Sequence, residues 1–496
     1  MLDDTGILVY CGSQLVETIK MAVVKHLLFV YTLYVIEYAH CCWLEEDEVY
    51  CNTFLELSTE GQPEWTNVSV TLVICHQYLH KMAQIKSLLL FYTVYLIQCT
   101  HCCWEAEDKV IYCNTFLELS MEGKREWTNV SVVNFNDDPL HTLQAASFEK
   151  VPNIQVLSIV STINGIESGA FNSLKKLTEI QLFNNEITDL PPKLFNIKSL
   201  KRIWFIENQI SGIPADSFKK IEGVAFINNS MPVVKADLVS NSATQELFLT
   251  GCDIEEIEDG AFKRMNSLYL LALTRNMLTT FNVKRVMGNS LSLEVLYVDA
   301  NRLTSVPRDM FDGAEMISII SLESNHIESI EDGAFSRLDH LVVLDLSDNR
   351  LAQVHPQVFK APRQPSLKAL LLHDNRLTFI NLGLLARAYR LAYFAYGGNP
   401  IQCPCSDGIK DYLKLQNIQQ TCFDKLYSSG NFPTCVFPTD YPNTCLYDVD
   451  LRNDLYDFYK VVRLEYGKLQ RDCNISNSVI KDLYGKDSKF YHLFEH

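Results

Sequence analysis

The sequence predicts a solenoid of about 12 repeats in which short parallel strands stack into one sheet. A motif of the form L-x-x-L-x-L-x-x-N-x-L recurs between residues 130 and 401, with copies 21 to 26 residues apart. Its two central apolar residues alternate with variable ones, as in a strand that is buried on one face. The cysteines lie near the two ends, and between residues 114 and 402 only Cys252 occurs. A long middle region without disulfides between two disulfide-bonded ends is consistent with one stack of repeats whose two termini are capped.

The clearest copies of the motif are ISIISLESNHI at residues 317–327, LVVLDLSDNRL at 341–351 and LKALLLHDNRL at 367–377. Earlier copies begin at residues 177, 200, 221, 244, 268 and 293, and a weaker copy begins at Ile154. Residues 130–140 are expected to open the array with Asp138 in the asparagine position, and residues 391–401 to close it. These assignments predict one strand per repeat.

Each element of the motif has a predicted role. The paired apolar residues point into the core, and the asparagine turns the chain and bonds to backbone groups of neighbouring coils. Cys252 occupies this asparagine position, which predicts a buried structural thiol and not a nucleophile. A phenylalanine often follows later in the repeat, and these rings are expected to stack on the convex side: Phe171, Phe195, Phe218, Phe262, Phe311, Phe335 and Phe359.

The pattern resembles the extracellular leucine-rich-repeat family, whose members form curved horseshoes. The resemblance implies an α/β-type solenoid with a parallel sheet on its concave face and irregular, 3-10 or short helical segments on its convex side. Asn399-Pro400-Ile401, followed by Cys403 and Cys405, is similar to the family's C-terminal cysteine cap. That likeness implies pairing of Cys403 with Cys422, and of Cys405 with Cys435 or Cys445. Upstream, Cys99, Cys102, Cys103 and Cys113 resemble a shortened N-terminal cap.

The first 130 residues contain a duplication. Residues 41–70 and 102–132 are near-copies, and each is preceded by an apolar run, at 27–36 and 88–97. These runs are too short to span a bilayer, and with the preceding lysines they have the composition of a secretory signal peptide. We expect the mature protein to begin near His101. The alternative is a genuine duplication whose apolar runs lie in a membrane or pack together.

The predicted organisation has six parts. Residues 1–81 are a duplicated signal-like segment with a cap copy that the mature protein need not contain, and 82–100 are signal-peptide-like. Residues 101–129 form the N-terminal cysteine cap, 130–401 the solenoid, and 402–445 the C-terminal cysteine cap. Residues 446–496 form a charged, Tyr-rich tail that is partly helical.

Composition excludes several classes of function. The formal charge of −17 argues against nucleic-acid binding, because phosphate contacts need a basic face. The cysteine spacing does not fit a zinc site, and the sequence lacks serine hydrolase, metalloprotease and phosphate-loop motifs. We therefore expect no enzyme, no cofactor and no metal. Disulfides and the sequons at Asn129, Asn228 and Asn474 indicate an extracellular glycoprotein.

The variable strand positions, which face the concavity, are the candidate binding surface. An apolar section centred on Trp204, Phe248 and Tyr297 is expected to anchor a partner. An acidic section that includes Asp299, Glu323 and Asp345, continued by Asp348 and Asp374, would favour a basic partner. His373 is expected to face solvent, and a glycan on Asn228, beside Phe226, would block part of the face. The predicted binding residues are Phe183, Trp204, Ile206, Phe248, Tyr297, Asp299, Glu323 and Asp345.

These observations predict a secreted recognition protein that binds another protein or a glycan through its concave face. The resemblance implies roles in adhesion, matrix assembly, signalling or innate immunity, and leaves homo- or hetero-oligomers open. One alternative is a membrane-tethered receptor that retains an N-terminal apolar segment as its anchor. Another is a structural matrix component. The chain's own tail covering the face is the competing interpretation of the aromatic residues.

Overall fold

The computed structural model describes residues 41–45, 48–52, 104–105, 110–113, 124, 126–133, 142–145, 147–160, 163–212, 220–236, 242–288, 292–420, 435–437 and 443–446. The chain divides into two compact units, Met1–Thr100 and His101–His496. The expected tail lies outside the described residues beyond Leu446, as do Cys102, Cys103, Cys422, Asn474 and Phe218.

Both copies of the duplicated sequence form the same hairpin. In the first unit, Cys41–Glu45 pairs antiparallel with Glu48–Asn52, and Trp43 lies opposite Tyr50. In the second unit, Trp104–Glu105 pairs antiparallel with Ile111–Cys113, and Trp104 lies opposite Tyr112. Equivalent residues therefore face each other in the two hairpins, although one copy has an inserted residue.

A single sheet of 15 strands runs through the second unit. All neighbouring strands are parallel except the first pair, and the strands from Asn129–Val133 to Tyr393–Ala395 correspond one to one to the predicted repeats. Short parallel strands joined by coils on one side form a solenoid, which confirms the predicted fold class. In spatial order the strands are Trp104–Glu105, Ile111–Cys113, Asn129–Val133, Val156–Val160, Glu179–Phe183, Arg202–Ile206, Gly223–Ile227, Glu246–Thr250, Leu270–Ala272, Val295–Tyr297, Ile319–Ser321, Val343–Asp345, Ala369–Leu371, Tyr393–Ala395 and Gln419–Gln420.

The first repeat begins three residues earlier than predicted. Val130 lies opposite Leu157, and Val132 lies opposite Ile159. Val130 is therefore the first residue of the central apolar pair, and Asp138 does not fall in the asparagine position. The prediction was wrong because several valines in the run Val-Ser-Val-Val fit the motif equally well, and only pairing with the next strand distinguishes the registers.

The return segments of the coils are mostly irregular. Three pairs of two-residue parallel strands form there: Thr142–Leu143 with Gly165–Ile166, Val233–Val234 with Glu256–Ile257, and Ser305–Val306 with Ser329–Ile330. Among the described residues, this side also contains the short helices Val283–Met287 and Leu382–Arg387 and the 3-10 turn Pro356–Val358. These elements match the irregular, 3-10 and short helical convex side that the resemblance implied.

Each asparagine of the motif links neighbouring coils, as predicted. The Asn301 amide donates to the carbonyl oxygen of Leu273 in the preceding coil at 2.8 Å, and its oxygen accepts from the Leu278 backbone N–H at 3.0 Å. The residue before the asparagine adopts a left-handed conformation, with φ 50° at Ala300 and 69° at Gly398. A Cβ at Gly398 would collide with the carboxylate of Asp374, so a larger residue here would force that side chain to move.

Cys252 replaces the asparagine in one coil, and its surroundings confirm the structural interpretation. It is fully buried, and Sγ lies 3.3 Å from the Phe226 carbonyl oxygen and 3.5 Å from that of Thr250. In other coils the side-chain oxygen of the motif asparagine accepts from the equivalent backbone N–H, as Asn301 does from Leu278. Here the Met231 N–H donates instead to the backbone carbonyl oxygen of Cys252 at 2.8 Å. Burial raises the pKa of this thiol to about 11, so it stays protonated and unreactive at neutral pH.

A row of buried phenylalanines crosses the coils. Phe171 stacks on Phe195 with ring centroids 5.9 Å apart, and Phe335 lies 5.7 Å from Phe311 and 5.9 Å from Phe359. This confirms the predicted stack for Phe171, Phe195, Phe311, Phe335 and Phe359, and Phe262 is buried in the same core. Phe148, which the sequence analysis omitted, extends the row at 5.7 Å from Phe171.

The C-terminal cap closes the solenoid with a helix, Cys403–Leu415, and with the last strand of the sheet. Cys403 is bonded to Cys435 and Cys405 to Cys445. The expected Cys403–Cys422 pair is therefore wrong, whereas Cys445 is one of the two partners that were open for Cys405. The cap folds back so that Val436 bridges the chain at Gln402, and this return brings Cys435 to Cys403. At the other end Cys113 is also disulfide-bonded.

Candidate binding face

The outward face of the sheet consists of the strand side chains that alternate with those in the core. In Glu179–Phe183 and Glu246–Thr250, Ile180, Leu182, Leu247 and Leu249 are fully buried, while the residues between them are half-buried. This alternation follows from the pleat, which sends successive side chains to opposite faces. The predicted binding residues all lie on this outward face, which is the face expected to be concave.

An apolar section forms where two aromatic rings meet across an intervening strand. The rings of Trp204 and Phe248 stack with centroids 6.1 Å apart and planes inclined by 24°. Ala225 lies between them in register, and its small side chain leaves the space in which the rings meet. Phe183 lies opposite Ile206 beside this pair. The structure thus brings together four of the predicted residues, and the sequence analysis did not recognise Ala225 as the spacer.

The acidic section is much less exposed than the sequence analysis assumed. Asp345 is only 3% exposed and accepts hydrogen bonds from the Ser347 N–H at 2.9 Å and its hydroxyl at 2.5 Å. Asp299 is half-buried and accepts from the Thr274 hydroxyl at 3.0 Å. Burial raises the pKa of Asp299 to about 7 and that of Asp345 to about 6. Glu323 is also half-buried and adds to the rise at Asp299.

His373 does not face solvent, which corrects the prediction. It is 6% exposed, and burial lowers the pKa of its imidazole to about 4, so the ring is neutral at physiological pH. The outward direction of its side chain was predicted correctly from the strand register, but its exposure was not. Asp348 is exposed beyond the strand and accepts from the Ser324 hydroxyl at 2.6 Å, whereas Asp374 is half-buried.

The later outward face carries a second apolar cluster that is separate from the core. Leu270, Val295 and Leu371 are fully buried there, although each lies on the side of the sheet away from the core. Phe248 and Tyr297 pack against its edge. The described buried members are Leu270, Ala272, Val295, Ile319, Val343, Ala369, Leu371 and Ala395.

This cluster was not predicted, because five of its members occupy the first of the three outward positions in each strand and the prediction rested on the other two. This first position, just before the central apolar pair, changes character along the chain. It is Glu179, Arg202 and Glu246 in early repeats, and apolar from repeat seven on. The apolar members of this column are Leu270, Val295, Ile319, Val343 and Ala369.

The predicted glycosylation residues occupy different positions. Asn228 is exposed in a left-handed turn with φ 52°, at the end of its strand. Phe226 is fully buried in the core, so Asn228 lies at the rim and not beside an outward phenylalanine. Asn129 is half-buried as the first residue of its strand.

Among the described residues, no group of three or more His, Cys, Asp or Glu side chains could hold a metal ion. The helices in this part of the chain are all too short or too polar to cross a bilayer. Neither finding extends to the remaining residues.

Comparison with known proteins gives weak but consistent similarities. The chain is 24% identical to keratocan of Gallus gallus over 258 residues, which cover 49% of this chain and 65% of the relative. It is 26% identical over 215 residues to the Oplophorus-luciferin 2-monooxygenase non-catalytic subunit of Oplophorus gracilirostris, covering 42% of this chain and 56% of that protein. The matched region thus covers less than two thirds of either relative.

A solved structure of the Drosophila Toll–Spatzle complex is similar with a TM-score of 0.48 and 16% identity, covering 63% of this chain and 54% of that chain. The family model described as leucine rich repeat matches residues 292–351 and 317–377. A second model, described as a BspA type leucine rich repeat region, matches residues 125–235. The strands that repeat in register, the asparagine ladder and both model matches show that this part of the chain is a leucine-rich-repeat solenoid.

Proposed function

We propose that the chain is a secreted recognition protein that binds an extracellular protein through the apolar section of its outward face. The observation that carries this proposal is the stacked pair of Trp204 and Phe248, held on rigid strands beside Phe183 and Ile206. Clustered aromatic residues are typical anchors of protein interfaces, because they bury a large area at a small entropic cost. The fixed sheet register pre-organises them.

Several features support an extracellular setting. The C-terminal cap carries two disulfides, which persist in oxidising compartments. Asn228 is an exposed sequon residue, and the apolar runs at 27–36 and 88–97 have the composition of secretion signals. One curated relative is named as a non-catalytic subunit, which supports a binding role for this chain and not an enzymatic one. Adhesion, matrix assembly, signalling and innate immunity are the roles within this proposal.

The test is the double variant Trp204→Ala and Phe248→Ala in the secreted protein. The matched control is Tyr389→Ala and Phe437→Ala, since those aromatic residues are 45% and 68% exposed away from this face. Partners recovered from extracellular fluid by the wild type should bind the first variant at least about 30-fold more weakly, as expected for interface anchors. Equal binding by both variants, with normal secretion, would refute the apolar section as the binding surface.

The secreted wild-type protein also tests the alternative functions. Sequencing the mature N-terminus of protein from the medium should give a start near His101. Protein that stays in the membrane fraction with residues 27–36 or 88–97 retained would favour the tethered receptor. A chain that only self-associates would favour the structural matrix component. Loss of binding after enzymatic removal of glycans from the partner would identify a glycan ligand.

A further inference from the structure

We propose that a basic edge formed by Arg363, Lys368 and Arg390 binds a sulfated polysaccharide. These residues lie at the end of the last coils where the chain enters the strands Ala369–Leu371 and Tyr393–Ala395. The basic edge is separate from the apolar section of the outward face and gives the protein a second binding surface. The extracellular source of this ligand rests on the proposed secretion, whereas binding by the purified protein does not.

The basic edge lies in a segment whose charge is opposite to that of the whole chain. The chain has a formal charge of −17, but residues 360–390 contain only one acidic side chain, Asp374. The same segment has six cationic side chains: Lys360, Arg363, Lys368, Arg376, Arg387 and Arg390. A local excess of positive charge concentrates anions at one place on a protein that repels them elsewhere.

One aromatic ring holds two of the cations together. The Cζ atom of Arg363 lies 4.9 Å from the centroid of the Tyr389 ring, and that of Arg390 lies 5.6 Å from it. At these distances the ring attracts both guanidinium groups. Tyr389 is 45% exposed, so the arrangement is at the surface. A guanidinium held over a ring keeps N–H groups at its edges, where they can donate to two oxygens of an oxyanion.

The basic edge has no acidic partner among the described residues. Arg363, Lys368 and Arg390 are exposed and form no ion pair with any residue that the structure describes. Asp339, in the preceding coil, is already paired with Lys360, whose Nζ lies 2.6 Å from its carboxylate. The three positive charges are therefore available to an anionic ligand.

The loop that carries Arg363 is fixed, although its coil is two residues longer than the coils on either side. The Gln364 side chain is fully buried, donates to the Leu338 carbonyl oxygen at 2.5 Å and accepts from the Lys360 N–H at 3.3 Å. The Gln364 N–H donates to the Arg387 carbonyl oxygen at 2.9 Å. These bonds attach the loop to both neighbouring coils, so a ligand does not have to order it.

The three cations are spread over two adjacent coils. The Lys368 carbonyl oxygen accepts from the Ala392 N–H at 2.8 Å, so Lys368 lies beside the coil that carries Arg390. Neighbouring strands are about 5 Å apart. A linear chain with repeated sulfate groups can contact all three cations at once, and each contact adds to a salt-dependent affinity. Because Tyr389 engages both guanidinium groups, the edge recognises charge and not an apolar partner.

The test is binding of the purified full-length protein to immobilised heparin at several salt concentrations. The affinity of the wild type should fall as the salt concentration rises. Arg363→Ala with Arg390→Ala should bind at least about tenfold more weakly and with a smaller salt dependence. The matched control, Arg302→Ala with Arg376→Ala, removes two exposed arginines beyond the opposite ends of the strands. No binding by the wild type, or an equal loss in the control, would overturn the proposal.

Competing probes decide the chemistry of the ligand. Heparin should bind at least about tenfold more tightly than chemically desulfated heparin, polyglutamate or single-stranded DNA. An equal or higher affinity for any of these three would overturn the assignment to a sulfated polysaccharide. Trp204→Ala with Phe248→Ala should leave heparin binding unchanged, and a loss in that variant would show that the two surfaces are not separate.

Tyr389 is a positioning residue in this site. Tyr389→Ala should weaken heparin binding about threefold, because it removes the ring that holds both guanidinium groups. Tyr389→Phe keeps the ring and should bind as tightly as the wild type. Weaker binding by Tyr389→Phe, or unchanged binding by Tyr389→Ala, would contradict this role of the ring.

Discussion

Replacing Asn349 by alanine tests the asparagine ladder. The Asn349 amide donates to the carbonyl oxygens of Leu322, Leu346 and Ser347 at 2.9, 3.2 and 3.0 Å, and its oxygen accepts from the Ile327 N–H at 2.9 Å. The site is 7% exposed, so water does not readily replace these bonds. Alanine removes every one of them.

The expected loss of stability depends on which of the backbone groups bonded to Asn349 keep another hydrogen-bond partner. The Leu322 carbonyl still accepts from Asn325, the Leu346 carbonyl from Asn375, and the Ser347 carbonyl from the Ser324 N–H. The Ile327 N–H loses its acceptor. The unsatisfied buried donor costs about 1–3 kcal/mol, and the three bonds whose acceptors keep another partner add about 1 kcal/mol together, so we expect a decrease of about 2–4 kcal/mol in the free energy of unfolding.

The assay is denaturant unfolding followed by circular dichroism, with Asn196→Ala as the control at an exposed asparagine. Asn349→Cys should lose only about half as much, since Cys252 fills the equivalent position with its thiol near two carbonyl oxygens. A change below about 0.5 kcal/mol in Asn349→Ala, the range of ordinary surface substitutions, would refute the ladder as a source of stability.

Four further outcomes are expected. Cys252 should resist thiol-alkylating reagents in the native protein and react after denaturation; rapid native alkylation would contradict its raised pKa and burial. Phe335→Ala should lower the free energy of unfolding by about 3–5 kcal/mol, and a nearly neutral result would exclude a stabilising ring stack. The pKa of Asp299 is raised to about 7 in the folded chain, so its contribution to stability is present at acidic pH and is lost as the pH rises through about 7; thermal melts of Asp299→Asn should depend less on pH between 5 and 8 than those of the wild type. Disulfide mapping should find Cys113 bonded to Cys103, because Trp104 lies opposite Tyr112 and these two cysteines are the next residue in each direction along the sequence; another partner would show that this pairing does not decide the bond.

The repeat unit could be predicted from sequence because each position in it has a local chemical reason. Alternation identified the inward side chains, the asparagine position explained Cys252, and the phenylalanine position predicted the stacked rings. The register of the first repeat could not be decided locally, because Val130, Val132 and Val133 all fit the motif. It depends on which residues of the next strand lie opposite.

The disulfides of the C-terminal cap could not be predicted from local sequence either. Cys403 has several cysteines within reach along the chain, and the expected partner was Cys422. The return of the chain at Val436 places Cys435 beside it instead. Which thiols meet is a property of the folded path and not of their order in sequence.

The sequence by itself determined the coil of this protein and the direction of each strand side chain, because both follow from short-range periodicity and from the backbone bonds of one turn. It also placed Trp204, Phe248, Asp345 and His373 on the outward face. Only the tertiary structure decided that the first two form a stacked, partly exposed pair and that the other two are buried. The physical reason is that direction is set by neighbours along the chain, whereas exposure is set by residues that are distant in sequence and adjacent in space.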